Sequence, residues 1–387
     1  MPVAREPAAR RRLIALCATA AAALVVGVVI GAGTGAEKQA PGERDTGEPA
    51  GASSERSDSA AKLPLERAVG EVLIMSFDGT EAPAYIRRRL RDGEGAGVIL
   101  FGKNAPDSDT LRALTDSLQQ AARGGAIVAT DQEGGDIRSV PFAAPEPSQG
   151  VLTTPDAAAQ AAGEGARALR VAGINVNLAP VADVASGPAS VVAGRAYGAD
   201  AQTVPAMVRA AVRAHDDEGV GATVKHFPGL GAAEINTDDA PVTVSSSRDR
   251  IEESDLPPFR AAIEEDVPLV MSSHALYPSL DEEDIASQSS AVLGDVLRGK
   301  LGFEGVVITD SIEAQAVLAR SDVADAAVRS VEAGTDLVLM TGSGSWNEIY
   351  PALLERAERD PDFAVRVREA AGRVAALKRR LGLEPAG

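Results

Sequence analysis

A (β/α)8 TIM barrel forming a single catalytic domain is the fold class the sequence predicts, on three observations. Eight short apolar, β-branched runs recur between residue 63 and the C-terminus. Stretches with helical spacing separate them. Charged or imidazole side chains stand at the C-terminal ends of five of those eight runs, where such barrels place their chemistry.

The runs come in order at 71–77 (EVLIMSF), 97–101 (GVILF), 126–130 (AIVAT), 174–179 (INVNLA), 222–226 (ATVKH), 268–273 (PLVMSS), 305–309 (GVVIT) and 336–340 (DLVLM). Unbroken apolarity over about five residues suits parallel strands covered on both faces. Helical spacing marks 108–123, 156–172, 201–218 and 322–333. Residues 341–387 suffice for a last helix or two and not for a second domain. A doubly wound sheet is the alternative, but no GxGxxG fingerprint follows the first run.

Two segments precede the barrel. In residues 1–36, Arg5, Arg10, Arg11 and Arg12 lead into an uncharged stretch from Leu13 to Ala36. That is the pattern of a signal peptide or a membrane anchor, with the basic side cytoplasmic. The small residues Thr34 and Ala36 fit a cleavage site, and the run is also long enough to span a bilayer, so both readings stand. Either one puts the rest of the chain in an extracytoplasmic place, secreted or membrane-anchored. Cys17 comes before most of the apolar run, which argues against a lipid-modified cysteine. Residues 37–62, rich in Gly, Pro, Ser and mixed charge, read as a flexible linker. The barrel domain then covers 63–387.

Composition narrows the function. With 56 acidic against 38 basic residues, the chain carries a net charge of −18, which opposes nucleic-acid binding. One cysteine and three histidines leave no intrachain disulfide and disfavour a zinc or multi-His metal site. Aromatics at 3% limit stacking platforms. No G-x-S-x-G elbow follows a strand, and GSGSW at 342–346 lacks its last glycine. No phosphate-cradling loop is present either.

The strand ends carry Asp131 (ATDQEGG), Asp183 (NLAPVADV), Lys225 and His226 (VKHFPGLG), His274 (VMSSHALYP) and Asp310 (VITDSIEA). Aspartates there also cap following helices, which is the plainer reading of any single one. As a set, these groups suit a polyhydroxylated neutral ligand. They also suit oxocarbenium chemistry, in which one carboxylate attacks carbon and a second group protonates the leaving oxygen.

Six phrases occur in register with the strands: ATDQEGG, NLAPVADV, GRAYGAD, VKHFPGLG, MSSHALYP and GVVITDSIEAQAV. Together they resemble the N-terminal barrel domain of glycoside hydrolase family 3, and within it the single-domain β-N-acetylglucosaminidases (β-N-acetylhexosaminidases) that act on peptidoglycan fragments. The resemblance spans residues 63–387. It implies Asp310 as nucleophile and Lys225, His226 and Asp131 as ligands of sugar hydroxyls. It places Arg195 at the edge of the site and gives Asp183 the task of orienting Lys225 or Arg195. It leaves His274 either a contact or a structural residue, and it implies no cofactor and a carbohydrate as partner.

Two departures from the family pattern matter. Where the family reads KHFPGHG and then Asp-Ser-His, whose histidine is the acid/base, this chain has Leu230 and then Asn236-Thr237-Asp238. The imidazole is missing, so Asp238 becomes the candidate acid/base, with Asp239 and Glu234 behind it. An exposed aspartate near pKa 3.9 is a weak acid catalyst, but burial beside Asp310 would raise it. Second, Asp136 stands where the family has Arg after the paired glycines, with Arg138 two positions on. The expected activity is a retaining exo-β-glycosidase of β-N-acetylhexosaminidase type. The alternatives are a tethered sugar-binding protein that has lost its acid, and a β-glucosidase-type specificity. Trp346, the only tryptophan, stands after the last run, where it either stacks on sugar or packs.

Overall fold

A computed structural model describes residues 63–342 and 344–384. The segment 1–36 with Cys17 and the linker 37–62 lie outside the described residues. Among the described residues, no helix is long and apolar enough to cross a membrane.

All eight predicted runs form strands of one closed parallel barrel. In chain order the strands are β1 (Leu73–Met75), β2 (Gly97–Leu100), β3 (Ile127–Thr130), β4 (Gln132–Gly134), β5 (Ile137–Arg138), β6 (Val176–Asn177), β7 (Gly221–Phe227), β8 (Leu269–Ser272), β9 (Val306–Ser311) and β10 (Leu337–Leu339). Around the barrel the order is β1-β2-β3-β6-β7-β8-β9-β10, closing β10 on β1. Ile74 seals the closure, pairing with Leu339 on one side and Gly97 on the other. β4 and β5 form a separate antiparallel hairpin that the strand pattern did not anticipate.

Alternation along each strand divides two cores. Ile74, Ile99, Ile127, Ala129, Leu269, Met271, Val306, Ile308, Leu337 and Leu339 fill the barrel interior. Their neighbours Leu73, Val98, Leu100, Val128 and Val338 face the surrounding helices, as do Val270 and Val307 on the other side. Both faces are buried, which explains why the runs read as continuously apolar.

The helices sit between strands as expected: Ser108–Ala121, Pro155–Val171, Val204–Asp217 and Val323–Ala333 among them. Asp107, Thr154 and Asp322 cap three of these by accepting a backbone N–H in the first turn. After β10 the chain makes two helices, Trp346–Arg359 and Pro361–Arg380, the second capped by Asp360.

Candidate active site

Polar groups converge at the C-terminal mouth of the barrel. A cavity of about 270 Å³ opens there, walled by Ile99, Phe101, Leu178, Met271 and Leu339 on its apolar side and by Asp131, Asp238, Asp310, Ser311 and Thr341 on its polar side. The volume lies at the small end for ligand sites and matches a single ring better than a chain.

Asp310 is near the end of β9, with its side chain about one-fifth exposed. Its Oδ1 accepts the Ser311 N–H at 2.8 Å, and its Oδ2 lies 4.0 Å from His226 Nε2. Burial alone would raise its pKa. His226, His274, Lys225 and the Ser311 N–H outweigh burial and hold the carboxyl below the usual aspartate value.

A buried charge ladder stands beside it. Lys225, on β7 and 2% exposed, places Nζ 2.7 Å from Asp131 Oδ1 and 2.6 Å from Glu133 Oε1. Glu133 in turn accepts two hydrogen bonds from Arg195, at 2.7 and 2.9 Å. Burial works to raise Glu133, but Lys225 and Arg195 prevail and bring it down to about 2. The same partners hold the Lys225 ammonium above its ordinary value despite burial. Glu133 is not among the candidates that the strand ends offer. Its signal was available, because it lies inside the DQEGG phrase and on the β4 strand that follows Asp131.

Asp183 departs from expectation. It orients neither Lys225 nor Arg195 and takes no part in the cavity wall. It is fully buried and holds the β7 loop: Oδ2 lies 2.7 Å from His226 Nδ1, while Oδ1 accepts the N–H of His226 at 3.2 Å and of Leu230 at 2.6 Å. Its place behind the loop, six residues past the end of β6, puts it next to His226. Glycines allow this packing: a Cβ on Gly231 would lie 1.9 Å from the Val184 carbonyl oxygen. Leu230 is buried in the apolar cluster beside the barrel, away from the cavity.

His274 is fully buried, with Nδ1 2.7 Å from Ser287 Oγ. Its Nε2 approaches the Asp310–Ser311 backbone without a hydrogen bond of normal geometry. Burial pushes its pKa down, against the opposing pull of Asp310. Arg138 donates to the Pro141 and Ala143 carbonyl oxygens and is tied down in its own loop. Asp136 is exposed on the hairpin. Trp346 packs: its ring lies between Arg89, at 3.6 Å, and Tyr350, at 4.7 Å, and Nε1 donates to the Glu94 carbonyl.

The loop after β7 brings Asp238, and neither Asp239 nor Glu234, to the cavity wall. Asp238 keeps solvent on its outer edge, while protein crowds its inner side. That crowding and the negative charge of Asp310 raise its pKa above the ordinary aspartate value, against opposing pulls from Asn236 and His226. Two carboxyl groups thus face one cavity with their acidities displaced in opposite directions. Such a pair can divide nucleophile and acid roles. Among the described residues, no cluster of His, Cys, Asp and Glu side chains could hold a metal ion.

The profile of the glycosyl hydrolase family 3 N-terminal domain matches residues 65–377. The chain belongs to glycosyl hydrolase family 3. It is a glycoside hydrolase, and carbohydrate is its substrate class. A relative described as an uncharacterized secreted glycosyl hydrolase, from Arthroderma benhamiae, is 34% identical over 342 residues, covering 83% of this chain and 95% of that one. Among solved structures, the family 3 β-N-acetylglucosaminidase of Paenibacillus sp. str. FPU-7 superposes with a TM-score of 0.79 at 34% identity. That match covers 84% of this chain and 64% of the Paenibacillus one, so the chain spans just under two thirds of that protein. The β-N-acetylhexosaminidase of Beutenbergia cavernae DSM 12333 gives a TM-score of 0.76 at 34% identity, with 82% of this chain and 99% of that chain covered.

Proposed function

We propose that the protein is a retaining exo-β-N-acetylhexosaminidase that removes terminal β-linked N-acetylglucosamine from peptidoglycan-type fragments outside the cytoplasm. The observation that carries this reading is the pair Asp310 and Asp238, sharing one ring-sized cavity with oppositely displaced acidities.

Asp310 attacks the anomeric carbon as the bond from that carbon to the leaving oxygen breaks. Protonated Asp238 gives its proton to that oxygen. A water molecule then loses a proton to the Asp238 carboxylate and attacks the same carbon, which frees Asp310 and restores the acid. Asp131, Lys225, His226 and Arg195 bind ring hydroxyls, with Glu133 fixing the two cations. Asp183 acts through His226, and His274 packs near the Asp310–Ser311 backbone. The apolar wall of Ile99, Leu178, Met271 and Leu339 suits the methyl of an acetamido group. The two solved relatives at 34% identity, named for N-acetylglucosamine and N-acetylhexosamine substrates, support that specificity. The basic and apolar segment at 1–36 and the secreted relative support the location.

The test is proton NMR of the first-formed sugar from an aryl β-N-acetylglucosaminide, run beside the matching β-glucoside. Release of the β-anomer from the N-acetyl substrate supports the reading. An α-anomer first product excludes a covalent Asp310 intermediate, and faster turnover of the glucoside excludes the specificity.

A further inference from the structure

The loop that carries Asp238 is held in place by hydrogen bonds with a particular polarity. Asn236 Oδ1 accepts the Asp238 backbone N–H at 3.2 Å, and Asn236 Nδ2 donates to Asp238 Oδ2 at 3.2 Å. The first bond fixes which end of the amide faces which partner. Turning the amide over would set its NH2 against a backbone N–H and its carbonyl against a carboxylate, losing both bonds. Toward the Asp238 carboxylate, Asn236 is therefore a donor only.

The other side of the loop is tied to the short helix that follows β9. The Thr237 carbonyl accepts the Ala316 N–H at 3.0 Å, and the Asp238 carbonyl accepts the Gln315 N–H at 3.2 Å. Gln315 and Ala316 open the short helix Gln315–Leu318 that follows Asp310. Thr237 is buried and anchors the turn, so Asp238 is clamped between Asn236 and the helix after β9.

We propose that Asn236 is the positioning residue of the acid/base, aiming the Asp238 carboxyl into the cavity and setting the pH at which it gives up its proton. The inference rests on the assignment of Asp238 as acid/base. The charged groups that face Asp238 are Asp310 from β9, His226 from β7 and Asp239 from its own loop. Asp310 and Asp239 favour its neutral form; His226 and the Asn236 amide favour the ionised form. An amide is a fitting partner for a carboxyl that must alternate between the two states. It adds no charge, and it holds the ionised form without preventing reprotonation.

The experiment measures kcat/KM against pH for the full chain on a β-N-acetylglucosaminyl disaccharide and on an activated aryl glycoside. Variants are Asn236→Ala, Asn236→Asp, Asp238→Ala and the double Asn236→Ala/Asp238→Ala, with thermal unfolding as a check on folding. Loss of the donor should slow the disaccharide about ten-fold and the aryl glycoside by less than about three-fold. The basic limb should move up in Asn236→Ala and further up in Asn236→Asp, where a carboxylate adjoins Asp238. The double variant should be no slower than Asp238→Ala alone. An unmoved basic limb, or losses that multiply in the double variant, would overturn the role of Asn236 while leaving Asp238 in place. If Asp238→Ala itself leaves the disaccharide rate intact, the acid assignment fails and this inference fails with it.

Discussion

Lys225 Nζ lies 2.6 Å from Glu133 Oε1, and both side chains are almost wholly buried. Arg195 closes the far side of Glu133, so one carboxylate holds two cations. Glu133→Gln would keep the shape and remove the charge that offsets them. We expect a loss of roughly 2–4 kcal/mol in stability and a rise in KM larger than the fall in kcat. Denaturant unfolding and steady-state kinetics check this. A variant as stable as wild type with unchanged KM would remove Glu133 from the site.

The same residue gives a pH dependence. Glu133 falls from 4.5 to about 2 on folding, so its contribution is present above pH 4.5 and is lost as pH drops toward 2. Wild type should lose stability across that window, and Glu133→Gln should show a shallower fall. Parallel curves of unfolding temperature against pH would contradict the assignment.

Asp255 predicts the opposite slope. It is 1% exposed, packs against Gly229 of the KHFPG loop, and neither of its oxygens has a hydrogen-bond partner. Burial, with Asp183 adding and Arg250 opposing, raises its pKa from 3.8 to about 7. The folded state therefore keeps a proton that the unfolded state releases. Stability should fall as pH rises from 3.8 toward 7, by at most about 1.4 kcal/mol per pH unit. Asp255→Asn should flatten that part of the profile, read by unfolding temperature. An unchanged slope in the variant would count against it.

Asp238→Ala separates acid from nucleophile. It should cost about 100-fold or more on a sugar leaving group and far less on an activated aryl group, which needs no protonation. Added azide should restore turnover and yield the β-glycosyl azide, because a small anion replaces the water that the carboxylate no longer activates. Equal loss on both substrates would point to another acid or to a role in folding.

The barrel was legible because each strand is buried on both faces, leaving unbroken apolar runs that helices of 3.6 periodicity punctuate. The β4–β5 hairpin was not, because its strands are two and three residues long and grow out of a loop. Asp310, Asp131 and Lys225 were legible as polar residues at strand ends. Glu133 was hidden in plain sight inside DQEGG. The partner of Asp183 was not readable, since the choice among His226, Lys225 and Arg195 depends on how the β7 loop turns back over the segment at 181–185. The fate of the missing imidazole was half legible. The sequence offers Asp238 as its replacement, but only the hydrogen bonds distinguish Asn236 as its holder.

The most direct test of the account is hydrolysis of an activated aryl β-N-acetylglucosaminide by the full chain and by Asp310→Ala. The activated leaving group removes the need for an acid, so the measurement isolates the nucleophile and the sugar pocket. The wild type should turn the substrate over and the variant should show nothing above background, with unfolding temperatures within a few degrees. Wild-type turnover in a folded Asp310→Ala protein would contradict it.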